Sequence, residues 1–222
     1  KPKKKILYTG NSGTLARMLI ALIATHPNLK VKIKGDSSLN KRDMSRIIYP
    51  LSKIGCNFYP TNRKCLPLTV EGTSMPLALD HVENIGSAQV KSAILLSALN
   101  TPGITTVKEI KKSRDHTENL MQVANADIKV KKFNKLNLIS LRGQQNLCKI
   151  NLKIPGDPSS AAPFILLTLL AVNSKLAIKN VNCNPTRIGF IKILKKMNAD
   201  IKIKNIKKKS GEFVGDIIVR SS

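Results

Sequence analysis

Three arginines recur at near-even spacing along the chain: Arg42, Arg114 and Arg187 stand 72 and 73 residues apart, each followed by an amphipathic helical pattern. The pattern predicts that each lies in the first turn of its helix, with Asn40, Ser113, or Asn184 followed by Pro185, as the cap. A cation there opposes the helix dipole by about 0.3 to 1 kcal/mol when exposed. Three in register make sense if an anion sits between each arginine and the helix end, because the guanidinium fork matches a carboxylate or a phosphate. For any one copy, a solvated arginine bearing that small cost is the plainer account.

A second recurrence points to the same chemistry. Small-residue turns open three apolar helical runs, "TGNSGTLARMLIALIA" from Thr9, "IGSAQVKSAILLSAL" from Ile85 and "PGDPSSAAPFILLTLLAV" from Pro155, with Gly10, Gly86 and Gly156 76 and 70 residues apart. Backbone N–H groups bared at such a helix start bind anions, helped by the dipole. For "GNSGT" the alternative is a tight turn with Thr14 as cap. It has neither the G-K-[ST] of a nucleotide P-loop nor G-x-G-x-x-G spacing, so ATP and NAD are not supported. In "GSAQVKS", Ser87 reads as a cap, whereas Gln89, two residues into an apolar helix, carries an amide that must find partners if buried.

The elements that must hold these residues follow from hydrophobic patterning. Each copy reads as strand, apolar helix, strand, amphipathic helix and further strands, at a period of about 70 residues, which is long for a solenoid and suits a compact α/β (α+β) module. The amphipathic stripes are Met44, Ile47, Ile48 and Leu51 in the first copy and Phe190, Ile193, Leu194 and Met197 in the third. "LKVKIKG", "ADIKVKK" and "ADIKIKN" alternate lysine with apolar residues, as half-exposed strands do. A helix apolar on every face must be enclosed, so buried helices inside and lysine-striped sheets outside are expected. Pro155, after "LRGQQNLCK", marks the expected domain boundary.

Composition bounds the function. A net charge of +25 over 222 residues suggests nucleic acid, but aromatic residues are only 4% and the lysines fall on strand faces, so no nucleic-acid partner is expected. Lysine supplies 30 of the 38 basic residues and is the default surface residue, which makes the eight arginines the more informative ones. Cys56, Cys65, Cys148 and Cys183 form no C-x-x-C pair, and His26, His81 and His116 are scattered, so no metal site and no disulfide framework are expected. The longest apolar run, "FILLTLLAV" from Phe164, is far short of the ~20 residues of a membrane span. With no signal peptide at its start, the chain is expected to be cytoplasmic.

Taken in order, "GNSGTLAR", "GDSSLNKRDM", "PLTVEGTSMP", "GSAQVKSAILLSAL", "SRDHTE", "PGDPSSAAPF" and "NPTRIGF" resemble the 5-enolpyruvylshikimate-3-phosphate synthase family, from Leu7 nearly to the last residue. The resemblance implies transfer of the enolpyruvyl group of phosphoenolpyruvate to the 5-hydroxyl of shikimate 3-phosphate, with release of phosphate and no cofactor. It implies an inside-out fold of two domains of three βαβαββ units each, monomeric at full length. Residues 1–154 would then be two units of the first domain and residues 155–222 the first unit of the second. Carried over by motif, Gly13, Arg42 and Gln89 bind phosphoenolpyruvate, and Ser87, Ala88, Gln89 and Ser113 bind shikimate 3-phosphate. Asn11, Thr14, Arg17 and Arg114 fall in the same motifs.

One departure is Asp43, where the family usually has proline, and it is expected to alter the helix start and to draw Arg42 from the ligand. The family chain is about twice this length, and its acidic catalytic residues have no counterpart here, so a central fragment, inactive alone and incomplete at both ends, is expected. Two alternatives share this fold or a related one. They are a UDP-N-acetylglucosamine enolpyruvyl transferase, against which "SAQVKSA" and "SRDHTE" argue, and an RNA-binding protein of the RNA terminal-phosphate cyclase type.

Overall fold

The computed structural model describes residues 5–61, 64–133 and 136–222. Strand β1 (Ile6–Tyr8), helix α1 (Gly13–Ala24), β2 (Lys30–Lys34), α2 (Ser45–Lys53), β3 (Asn57–Pro60) and β4 (Leu68–Glu71) form the first repeat. Its sheet runs β1-β2-β4-β3, with β1 parallel to β2 and β4 antiparallel to both neighbours. The second repeat has β5 (Asp80–Glu83), α3 (Ala88–Ala98), β6 (Ile104–Glu109), α4 (His116–Val123), β7 (Ile128–Lys132) and β8 (Asn137–Arg142). Its sheet copies the first as β5-β6-β8-β7.

The third repeat comprises α5 (Pro158–Leu170), β9 (Lys175–Asn182), α6 (Gly189–Lys196), β10 (Ile201–Lys209) and β11 (Glu212–Arg220), in the order β10-β11-β9. A single parallel bridge from Gly156 to Val181 stands where the other repeats have their first strand. Two compact units result. One holds the chain up to Ser113 together with Ala126–Leu147, and the other holds Arg114–Asn125 and Cys148–Ser222, so α4 counts with the second.

In the first unit α1 lies on β2 and β4, α3 lies on β6 and β8, and the two helices pack on each other with α2 against both. The helices are therefore inside and the sheets outside. Helix α3 buries Val90, Lys91, Ala93, Ile94, Leu95, Ser97 and Ala98. Val31 and Ile33 of β2 point inward while Lys30 and Lys34 face solvent, each inward aliphatic side chain contributing roughly 1.5 to 3 kcal/mol. In the second unit α5 buries Ala161, Ile165 and Leu169 but exposes Phe164, Leu166, Leu167 and Leu170. The expected full enclosure thus holds for α3 and fails for α5, which rests on one sheet only among the described residues.

The amphipathic helices start later than the sequence suggests, so Arg42, Arg114 and Arg187 precede α2, α4 and α6 instead of occupying their first turns. The expected caps are spent elsewhere. Asn40 Oδ1 accepts from the Gly35 N–H at 2.9 Å, Ser113 donates to Glu109, and Asn184 Oδ1 accepts from the Thr186 N–H at 2.9 Å. The inward face of α6 differs from the expected stripe: Ile191 is buried and Phe190 and Leu194 pack partly against the core, whereas Ile193 and Met197 are exposed. The α1 cap is Ser12, whose Oγ accepts from the Leu15 N–H at 3.1 Å, and not Thr14. Ser87 caps α3 as expected.

Candidate functional site

The starts of α1 and α3 are tied together by two hydrogen bonds, and a third runs within α1. Arg17 Nη1 donates to Gln89 Oε1 at 3.0 Å and to the Gly13 carbonyl at 3.3 Å, and Gln89 Nε2 donates to Thr14 Oγ1 at 2.6 Å. The glutamine amide in its apolar helix thus has a partner at each end. A Cβ on Gly13 would stand 2.8 Å from Arg17 Nη1 and 3.6 Å from Arg42 Nη1, so the bare Cα lets two guanidiniums close over the start of α1.

The cluster is strongly positive. Burial, then the nearby charges of Arg42 and Arg46, pull the pKa of Arg17 below its usual value, and Asp43 offsets this only in part. These cations gather at the positive end of α1, where backbone N–H groups also face outward, an arrangement suited to a carboxylate or phosphate. Asp43 spends its carboxylate on the N–H and hydroxyl of Ser45, the bonds that hold its pKa down. Its effect is therefore on the start of α2.

Ser87 and Ala88 share the first turn of α3 with Gln89. Before it, the buried Glu83 accepts from the N–H groups of Ile85 at 2.9 Å and Ser87 at 3.4 Å. Ser113 donates its N–H, at 2.8 Å, and its hydroxyl to Glu109 Oε1. The same oxygen accepts from Lys91 Nζ at 3.0 Å, and Glu109 Oε2 accepts from Asn137 Nδ2 at 2.9 Å. Burial alone would raise the Glu109 pKa, but the bonds from Ser113, Lys91 and Asn137 outweigh it and hold the carboxyl below the usual range.

The structure therefore bonds Gly13, Thr14, Arg17 and Gln89 together, brings Arg42 beside Gly13, and links Ser113 to α3 through Glu109 and Lys91. Asn11 lies exposed on the turn before α1, and Arg114 is exposed and counts with the second unit. The third arginine of the series differs, since Arg187 Nη2 is neutralised by Asp157 and also donates to Ser159 Oγ at 2.8 Å. Sequence reasoning missed Arg46 and Glu109, and it marked Lys91 in "GSAQVKS" without giving it a role. Arg46 was signalled by its place four residues after Arg42, whereas nothing marked Glu109. Among the described residues no three His, Cys, Asp or Glu side chains gather as metal ligands would, and no helix is long and apolar enough to cross a membrane.

A family model described as EPSP synthase (3-phosphoshikimate 1-carboxyvinyltransferase) matches residues 1–218. The chain belongs to the EPSP synthase family. The 3-phosphoshikimate 1-carboxyvinyltransferase of Caldicellulosiruptor saccharolyticus is 42% identical over 220 residues, 99% of this chain and 50% of that protein. The enzyme of the same name from Novosphingobium aromaticivorans is 41% identical over 220 residues, again 99% of this chain and 50% of its own length. The solved EPSP synthase of Acinetobacter baumannii superposes with a TM-score of 0.84 at 36% identity, over 100% of this chain and 49% of that one. The enolpyruvyl transferase NikO from Streptomyces tendae shares the fold alone, with a TM-score of 0.66 at 13% identity over 92% of this chain and 46% of its own. The chain thus spans about half the length of the curated relatives it matches.

Proposed function

We propose that this protein transfers the enolpyruvyl group of phosphoenolpyruvate to the 5-hydroxyl of shikimate 3-phosphate, releasing phosphate. The observation that carries this reading is the pair of Arg17 and Arg42 over the bare Cα of Gly13, with Arg46 adding charge nearby and Gln89 tying Arg17 to the start of α3. Phosphoenolpyruvate brings a carboxylate and a phosphate, which suit two guanidiniums and a helix start. One of its anionic ends faces Arg42 and Gly13, and Gln89 touches both substrates. Ser87, Ala88 and Ser113 form the shikimate 3-phosphate side, with Asn11, Thr14, Arg17 and Arg114 as further contacts.

The reaction protonates the enol methylene and adds the 5-hydroxyl, and the tetrahedral intermediate then expels phosphate. This chain's residues hold and orient the substrates in these steps. Asp43, Glu83 and Glu109 are engaged with Ser45, with Ile85 and Ser87, and with Lys91 and Ser113, which supports structural roles for all three. Family membership further supports a division into residues 1–154 and 155–222, two units of one domain and the first of another, in a cytoplasmic monomer.

The test uses the protein expressed from its intact reading frame and reads phosphate release from phosphoenolpyruvate. Release that depends on shikimate 3-phosphate supports the proposal. Release that depends instead on UDP-N-acetylglucosamine, or none with either acceptor, overturns it.

A further inference from the structure

The Lys91–Glu109 pair is almost completely withdrawn from water, with side-chain exposures of 1% and 0%. Burying two charges costs several kcal/mol of desolvation, and apolar residues of similar volume commonly serve stability as well or better. Stability therefore gives little reason for an ion pair at this position, and its geometry gives another. Glu109 ends β6, Lys91 lies in the first half of α3, and Ser113 follows four residues beyond the carboxylate. One oxygen, Oε1, gathers Lys91 Nζ and both protons of Ser113, so it fixes the turn carrying Ser113 to the helix carrying Ser87, Ala88 and Gln89. The two turns also meet nearby, where a Cβ on Gly86 would stand 3.1 Å from both the Cβ and the carbonyl oxygen of Lys111.

We propose that Glu109, paired with Lys91, is a positioning residue that sets Ser113 against the start of α3 and so shapes the shikimate 3-phosphate side of the site. The proposal rests on the function given above. Glu109 itself touches no substrate. It anchors the Ser113 N–H and holds the hydroxyl until rotation about the Cβ–Oγ bond turns it to donate to an incoming phosphate oxygen.

Two charge-balanced variants of the intact protein separate positioning from stability. Lys91→Met with Glu109→Leu removes the charges and the acceptor for Ser113. Lys91→Met with Glu109→Gln removes the charges and keeps an acceptor at the same reach. The first should raise KM for shikimate 3-phosphate about tenfold or more, with KM for phosphoenolpyruvate changed less than about twofold. The second should return KM for shikimate 3-phosphate to within about threefold of the parent. Equal KM values for shikimate 3-phosphate in the two variants, or equal rises in the KM values of both substrates, overturn the proposal. A parent without turnover overturns the function and this inference together, whereas a parent with turnover and insensitive variants overturns the inference alone.

Discussion

Arg17 and Gln89, 72 residues apart in the chain, meet at 3.0 Å across the first turns of two helices that occupy the same place in successive repeats. The bond fixes a guanidinium that burial and two neighbouring arginines already make costly to keep charged. An arginine held in so positive a place is explained if an anion completes the cluster.

Gln89→Ala tests that coupling. Arg17 and Thr14 lose their shared partner, and kcat/KM should fall about 10- to 100-fold, or roughly 1.5 to 3 kcal/mol. Thermal unfolding should change little. Kinetics beside a melting curve make the check, and an unchanged kcat/KM contradicts the role given to Gln89.

Arg42→Ala removes an exposed side chain, so Tm should hold while kcat/KM falls by roughly 2 to 4 kcal/mol of transition-state stabilisation. Steady-state rates at several phosphoenolpyruvate concentrations check this, and the loss should appear without a matching loss of fold.

Gly13→Ala adds a methyl group 2.8 Å from Arg17 Nη1, the far end of a flexible side chain. The arginine can shift, so the protein should fold, but with its guanidinium displaced the KM for phosphoenolpyruvate should rise about tenfold. Titration of phosphoenolpyruvate at saturating acceptor measures it.

Gly143→Ala should act on the fold. A Cβ there would stand 1.7 Å from the Thr101 carbonyl oxygen and 2.4 Å from that of Ala98, backbone atoms at the end of α3 that cannot yield cheaply. Gly72 closes the first repeat in the same way, against the carbonyls of Ile23 and His26. The variant should lose about 3 kcal/mol or more, whereas Gly189→Ala, with nothing within 4 Å, should be neutral or stabilising. Denaturant unfolding of both variants distinguishes them.

Acid should weaken the first unit through Glu109. Its folded pKa is held below the usual 4.5 despite burial, so its contribution is present above that value and is lost as pH falls through the folded pKa. Lys91→Met with Glu109→Gln has no carboxyl to protonate at this position. Tm followed from about pH 7 to about pH 3 should therefore drop less steeply in that variant than in the parent.

The repeat was legible because strand and helix periodicities, small turns and arginines all recur at about the same interval, and the duplicated sheet order follows that register. The helix starts were not. Asn40 and Asn184 look like caps, yet each bonds within its own loop, and Ser12 outcompetes Thr14 because its hydroxyl sits one turn ahead of the Leu15 N–H. Gly13, Arg42 and Gln89 were legible from motif. Glu109 was not, since its partners lie on α3, on β8 and in the loop beyond β6, and only the fold brings them together.

The central claim is that the start of α1 under Arg42 receives phosphoenolpyruvate. Crystals of the intact protein soaked with phosphoenolpyruvate test it most directly. The account predicts density for the phosphate or carboxylate against the Cα of Gly13, within hydrogen-bond distance of the Arg42 guanidinium. Ligand density elsewhere, with Arg42 and Gly13 facing only solvent, would contradict it.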